Sequence, residues 1–477
     1  MRITLFICLL APLVAVGEAA IDVGSRRELF VDDYLISSMD GATLRLHEPV
    51  ARETVLRFDS PWEGRYVGYV TAFQDGEKVR LYYRGLPENA ADGSDYETTC
   101  YAESTDGITF IKPHLGLFEV RGTRENNVVL ADMAPFSHNF SPFLDTRPDV
   151  DPSARYKAMG GTSASGLAAF VSADGLSWRK LQEEPVLRDG AFDSQNVAFW
   201  SEHEQQYVCY FRTFSEGGFS GFRTVSRSTS PDFVHWSPTE AMSFGDRPLE
   251  HLYTNQTAPY YRAPHLYVAI AARFMPDRPV ITEEEARSLG IEGGYWKDIS
   301  DNVFMTSRGG TRYDRTFMEG FIRPGIGIEH WTSRTNYPAY GIVATGDEEM
   351  SLYVQHSYGQ PTHHLVRYAL RPDGFVSVHA PYEGGELVTK PLRFTGSALR
   401  LNFSSSAAGS LRVEMQDDTG TAIPGFALES CAEIIGNDLD RTVSWAGGTD
   451  VSGLAGKTVR LRLVMRDADL YSLRFVP

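Results

Sequence analysis

The chain has 477 residues, 42% of them hydrophobic and 22% charged. That excludes a disulfide-stapled miniprotein, a coiled coil and a disordered chain, and leaves room for two or three domains, each with its own core. The formal net charge of −17 repels phosphate backbones and anionic lipid surfaces, so neither nucleic acid nor a membrane surface is expected as a partner.

In chain order, the first element is a targeting segment. Arg2 supplies a positive start, residues 3–16 are an apolar run interrupted by Pro12, and small residues at Gly17 and Ala19 suit cleavage after Ala19. Residues 1–19 therefore read as a signal peptide, too short to span a bilayer. The mature protein is expected to be secreted or periplasmic. Cys100, Cys209 and Cys431 remain after cleavage. They read as small buried residues, with one disulfide plus a free thiol as the alternative.

From here a motif recurs five times. Its copies are Ser104-Thr-Asp106-Gly107-Ile-Thr-Phe110, Ser172-Ala-Asp174-Gly175-Leu-Ser-Trp178, Ser230-Pro-Asp232-Phe-Val-His-Trp236, Ser307-Arg-Gly309-Gly310-Thr-Arg-Tyr313 and Arg371-Pro-Asp373-Gly374-Phe-Val-Ser377. Asp-Gly between strand-like runs signals a hairpin. An aromatic strand precedes each copy: residues 79–84, 155–159, 206–212, 265–270 and 351–355. Two hairpins per repeat make a four-stranded sheet, and radial repetition of such sheets makes a β-propeller. Five blades are expected over residues 20–385, with Glu28–Asp33 as a strand that closes the ring against the last blade. Between the fourth and fifth blades, Thr282-Glu-Glu-Glu285 is a capping box that opens a short helix ending near Gly290. Residues 386–477 lack the blade motif and alternate as short strands, which predicts a C-terminal β-sandwich of jelly-roll type. The fold class is all-β.

A five-bladed propeller followed by a sandwich resembles the secreted glycoside hydrolases of families 32 and 68 and their family 43, 62 and 117 relatives. The second-blade motif of family 32, Arg-Asp-Pro, has its counterpart near Asp145-Thr-Arg147-Pro148. The third-blade Glu-Cys-Pro has Phe192-Asp193-Ser-Gln-Asn196 in its place. Where the first-blade Asn-Asp-Pro-Asn would stand, the chain has Pro61-Trp62-Glu63-Gly-Arg65-Tyr66. The resemblance implies a carbohydrate substrate and carboxylates on the inner strands of the first three blades.

Glycoside hydrolysis needs a carboxylic acid to protonate the leaving oxygen and a carboxylate to act as nucleophile or base. The candidates are Asp193 as general acid, Asp145 as stabiliser or base, and Glu63 as the first-blade acid. Glu250, opening the fourth blade, is a rival acid, and Asp32 or Asp33 would face the funnel if their strand closed the ring. Trp62, Tyr66, Asn139, Asn196, Asn255, Arg323, Arg334, Asn336 and His356, with His138, stand in the phase that would line the funnel. Aromatic faces suit sugar rings, and Arg323 and Arg334 suit a carboxylate or sulfate. No metal ligand set is expected, because the adjacent His363 and His364 point opposite ways on a strand. No cofactor is expected. Several propeller glycosidases hold a central structural calcium, on which the sequence is silent. The expected function is a secreted glycosidase using paired carboxylates in the funnel. A non-catalytic glycan-binding propeller and a sialidase-like hydrolase are the alternatives, the latter because the Asp-Gly repeats resemble Asp boxes.

Overall fold

The computed structural model describes residues 18–477. Apart from Glu18 and Ala19, the expected signal peptide lies outside them. Among the described residues no helix is long and apolar enough to cross a membrane. The chain divides into two compact units, Arg45–Ser377 and a second made of the N-terminal stretch through Leu44 together with Val378–Pro477.

The first unit is a five-bladed propeller. Blade 1 is Gly68–Asp75, Lys78–Gly85, Thr98–Ser104 and Val128–Leu130. Blade 2 is Ser141–Leu144, Tyr156–Thr162, Gly166–Ser172 and Arg179–Lys180. Blade 3 is Val197–Ser201, Gln206–Phe214, Arg223–Ser230 and Glu240–Ala241. In blade 4, Leu252–Thr254 and Thr257–Tyr260 share the inner position beside Ala263–Met275, which pairs with Ile299–Ser307. Blade 5 has Tyr337–Pro338 and Val343–Gly346 inside, then Glu349–His356, His364–Leu370 and finally Val50–Arg57.

Each Asp-Gly copy follows the third strand of its blade. In the first, Asp106 Oδ1 accepts hydrogen bonds from the backbone N–H of Ile108 (2.8 Å) and Thr109 (2.7 Å), while Ser104 Oγ accepts from Gly107 N–H (2.9 Å). The second and third copies repeat this, with Asp174 and Asp232 at 2.8–2.9 Å from the same positions. The tight turn needs a left-handed residue, which Gly107 and Gly175 supply at φ +69° and +76°. Phe233 holds the same position at φ +69°. Its ring, fully buried between Phe143, Tyr207 and Trp236, offsets that strain of roughly 1 kcal/mol.

Tyrosines on the second strands bolt neighbouring blades together. The Tyr82 hydroxyl donates to Gly175 O (2.9 Å) and the Tyr353 hydroxyl to Gly107 O (2.6 Å). The Tyr156, Tyr207 and Tyr267 hydroxyls donate to Asp75, Asp145 and Glu204 at 2.6, 2.6 and 2.8 Å.

Two expectations need correction. The ring is closed by Val50–Arg57, paired with His364–Leu370, and not by Glu28–Asp33. Glu28 and Leu29 instead pair with Leu473 and Ser472 of the second unit, so Asp32 and Asp33 follow a strand of that unit and not one of a propeller blade. The reason is apolar burial: Val23, Phe30 and Leu35 enter a single core with Leu392, Phe394, Leu461 and Leu463. The same core takes Val378, Ala380 and Leu387, which moves the unit boundary from the expected 385/386 to 377/378.

The second unit is built on two long antiparallel strands, Ala398–Gln416 and Arg460–Val476, within an eight-stranded sheet. A register break between Ser405 and Ser410 bends them. Helix Glu283–Ser288 forms where its capping box predicts, with Thr282 Oγ1 accepting from Glu285 N–H and Glu285 accepting from Thr282 N–H. The three cysteines are buried and unpaired.

Candidate active site

The inner strands start at one end of the ring axis, and their starts are strained. Tyr69, Asn139, Phe192, Gln256, Arg334 and Asn336 all hold left-handed φ between 43° and 69°. None is glycine, and each costs roughly 1–3 kcal/mol that packing must offset. Just below, a polar plug ties four blades. Gln195 Nε2 donates to Thr71 Oγ1 (2.8 Å), and Gln256 Nε2 donates to Gln195 Oε1 (2.7 Å) and Pro338 O (2.8 Å).

On that plug lie three tyrosines, Tyr69, Tyr253 and Tyr337, and four arginines. The guanidinium carbon of Arg84 lies 4.8 Å from the Tyr69 ring centre, and its nitrogens donate to Asn139 Oδ1 (3.2 Å) and Tyr66 O (3.1 Å). That of Arg212 lies 4.4 Å from the ring centre of Tyr253, with Nε donating to Asp193 Oδ1 at 2.7 Å. Arg223 and Arg334 approach the same ring to 5.5 and 5.6 Å. Arg84 is balanced by Glu97 (3.6 Å) and Arg212 by Asp193, whereas Arg223 and Arg334 have no ion-pair partner among the described residues. The site is thus positive in a strongly negative protein. Burial would raise the Tyr253 phenol, but the charges of Arg334, Arg212 and Arg223 outweigh it and hold it below its ordinary value.

One carboxyl here escapes sequence reasoning. Asp298, on the segment after the inserted helix, feels both Arg334 and Arg223. Burial nonetheless holds its carboxyl above the ordinary value, against the hydrogen bond from Ser333 and those two charges. Its Oδ1 has no hydrogen-bond partner among the described residues. Asn196 Oδ1, Thr254 Oγ1, Asn336 Oδ1, Tyr337 OH and the Nε atoms of Arg223 and Arg334 are buried and equally unpartnered. Natural structures rarely leave so many without ordered water, an ion or a ligand to complete them.

The structure thus brings together Asp193, Arg334, Asn139, Asn196 and Asn336 of the expected set. Tyr66 joins them, its ring near Tyr295 and Tyr358 and its hydroxyl on Glu292 (3.2 Å). Glu63 stands apart. Its carboxylate is fully buried and saturated by Tyr83 OH (2.6 Å), Lys112 Nζ (2.7 Å) and Ser60 N–H (2.9 Å). Trp62 is part of the same blade, its Nε1 donating to Asn127. Asp145 follows the far end of its inner strand, away from the strand starts, held by Lys157 Nζ (2.5 Å) and Tyr207 OH. It is the second of three acids in that bolting position, after Asp75 and before Glu204. Asn255 caps its own turn through Thr257 N–H. His356 contacts His330 (3.3 Å) and the Tyr368 hydroxyl (3.1 Å), and burial pushes its pKa down to about 3, so it is neutral. Glu250 and Arg323 line a separate cavity.

Asp92, Glu97 and His138 offer three ligand atoms within 4.8 Å of one another. Glu97 already has a counter-charge in Arg84, and a histidine nitrogen is a poor calcium ligand, so the trio suits a hydrogen-bonded network better than a calcium ion.

No family model and no curated protein matches the chain. Solved structures that overlap it include one described as a glycoside hydrolase, 11% identical, TM-score 0.44, covering 67% of this chain and 92% of that one. Another is described under the GH130 family of mannoside phosphorylases, with glycoside hydrolases that target β-1,2-mannosidic linkages in Candida mannan. It is 15% identical, TM-score 0.40, covering 73% and 97%. A fructofuranosidase from Schwanniomyces occidentalis complexed with fructosylnystose is 12% identical, TM-score 0.40, covering 88% and 96%. Overlap at this level says nothing about activity.

Proposed function

We propose that this protein is a secreted or periplasmic hydrolase that cleaves a glycosidic bond of an anionic saccharide at the strand starts of the propeller. The observation that carries the reading is the set of three guanidinium groups around Tyr253, two of them without a carboxylate partner, beside Asp193 and Asp298. Arg223 and Arg334 would hold a sugar carboxylate or sulfate. Asp298, its carboxyl raised above the ordinary value by burial, serves as the acid that protonates the leaving oxygen. Asp193, ion-paired with Arg212 and with its side chain 24% exposed, serves as base or nucleophile. The raised and the ion-paired carboxyl divide acid and base roles by environment.

A sialidase-like mechanism has one observation of its own: a phenol held below its ordinary value by arginines is an activated nucleophile. Tyr253 would then attack the sugar, with Asp298 still the acid.

The test is product release from polygalacturonate, sulfated galactans and sialyllactose, with xylan and fructan as neutral controls. Release from an acidic member, with a loss of at least ~10² in Asp298→Asn and Asp193→Asn, supports the carboxylate pair. Equal release from neutral members overturns the anionic reading. Binding without release makes the protein a glycan-binding propeller.

A further inference from the structure

Beside the strand starts, between blades 4 and 5, lies a cavity of about 500 Å³. This is within the roughly 300–1,000 Å³ of small-ligand sites. Arg273, Arg278, Arg323, Ser300 and Trp331 line it, with Glu250 and Asp301.

Its floor is electrically closed. Arg273 Nε donates to Asp301 (2.8 Å) and its Nη1 to Glu250 (3.2 Å), while Arg315 Nη2 donates to the other oxygen of Glu250 (2.7 Å). Two acids and two guanidinium groups cancel, so Glu250 is committed to the floor. The rim is not closed. Arg278 is exposed and has no ion-pair partner among the described residues. Arg323 is 64% exposed and faces only the exposed Glu48 at 3.4 Å, a contact that contributes little in water. Two guanidinium groups are thus free to take an anion. Trp331 adds an aromatic wall, its Nε1 committed to Gly325 O (3.1 Å). An independent mark of a ligand is Ser300, which is 2% exposed, lines the cavity, and has an Oγ without a hydrogen-bond partner.

The cavity is mechanically joined to the candidate active site. Asn336 Nδ2 donates to Ser300 O (3.0 Å) and to His330 O (3.1 Å). The segment from Trp331 to Arg334 therefore presents a wall of the cavity and, three residues later, a guanidinium over Tyr253 and Tyr295. That separation is at most about 10 Å of extended chain.

We propose that this cavity binds a second acidic unit of the same saccharide, its ring against Trp331 and its carboxylate or sulfate on Arg278 and Arg323. The inference rests on the reading of the first site as one for anionic sugars and extends it: the substrate is an oligomer with acid groups on more than one unit.

The test is direct binding, read by tryptophan fluorescence and by calorimetry, and independent of turnover. The probes are trigalacturonate for the carboxylate, a sulfated carrageenan tetrasaccharide for the sulfate, and maltotriose as neutral control, each also as its monosaccharide. One anionic oligomer should bind, more weakly as salt rises. Arg278→Ala/Arg323→Ala should weaken it at least tenfold while leaving the monosaccharide unchanged. Trp331→Phe should weaken it and reduce the fluorescence change. Both arginines are exposed, so the double variant should keep the wild-type Tm. Binding of neither anionic oligomer overturns the proposal, as does binding indifferent to the double variant or matched by maltotriose. Arginine-dependent binding without turnover of any probe keeps the second subsite and sinks the glycosidase reading. Turnover indifferent to the double variant, with no arginine-dependent binding, does the reverse.

Discussion

Arg212 covers Tyr253, its guanidinium carbon 4.4 Å from the centre of the phenol ring. Arg223 and Arg334 complete the enclosure. A phenol depressed by such charges is deprotonated in the folded state at a pH where the unfolded chain still keeps its proton. Its contribution to stability is full above the unfolded value near 10 and is lost as pH falls through the folded one. Ultraviolet titration should show one phenolate forming below pH 10. That phenolate should be absent in Tyr253→Phe. If the titration curves of the two proteins coincide, the arginines do not act on this residue.

Asp298 has the opposite linkage. Its folded carboxyl is raised, so its favourable contribution is present below the unfolded value near 4 and lost as pH rises through the folded one. Asp298→Asn, a mimic of the protonated form, should match the wild-type Tm near pH 4 and exceed it once pH has risen through the folded value. A Tm difference that stays flat with pH would place an ionised carboxylate there.

Asp145 is expected to matter for stability and not for rate. Removing it leaves the Lys157 ammonium, 6% exposed, without its counter-ion. Asp145→Ala should cost about 3–5 kcal/mol in chemical denaturation. The kcat of the folded fraction should be unchanged. A fall in kcat with no loss of stability would return Asp145 to the chemistry.

His356 and His363 are both pushed down to about 3 by burial, with neighbouring histidines adding to the effect. The folded protein binds fewer protons than the unfolded chain below about 6.5, so stability is present above that value and lost as pH falls from there toward 3. Each histidine contributes a slope of about 1.4 kcal/mol per pH unit. Denaturation series between pH 7.5 and 4.5 should show this slope, and His363→Phe should flatten it.

The repeat was legible because it is local. Ser104, Asp106 and Gly107 satisfy one another within four residues, so the motif survives in the one-dimensional string. The Tyr-bearing second strands were legible for the same reason. Ring closure was not. Glu28-Leu-Phe-Val looks more strand-like than Val50–Arg57, whose side chains are mostly exposed on an outer edge. What decided between them was Phe30 entering the core around Leu392 and Phe394, a contact across some 360 residues. The site was half legible. Asp193, Asn196 and Arg334 follow from blade phase. Arg84 and Arg212 carried a signal that phase reasoning passed over: each lies near the end of the second strand of its blade, in Tyr-Tyr-Arg and Tyr-Phe-Arg. Asp298 carried none, because its significance lies in burial beside Arg223 and Arg334, which only the folded ring creates.

The propeller is inserted within the sequence of the other unit, and its own last blade borrows its edge strand from residues 50–57. Ribosomal timing follows from this. At roughly 5–20 residues per second, the stretch through Leu44 waits on the order of 20–70 s, while the intervening 330 or so residues are made, before its partner strands exist. Val50–Arg57 waits nearly as long. Both are exposed strand edges during synthesis, so the nascent chain should depend on holding chaperones up to its last hundred residues, and truncation before Val378 should yield aggregated protein.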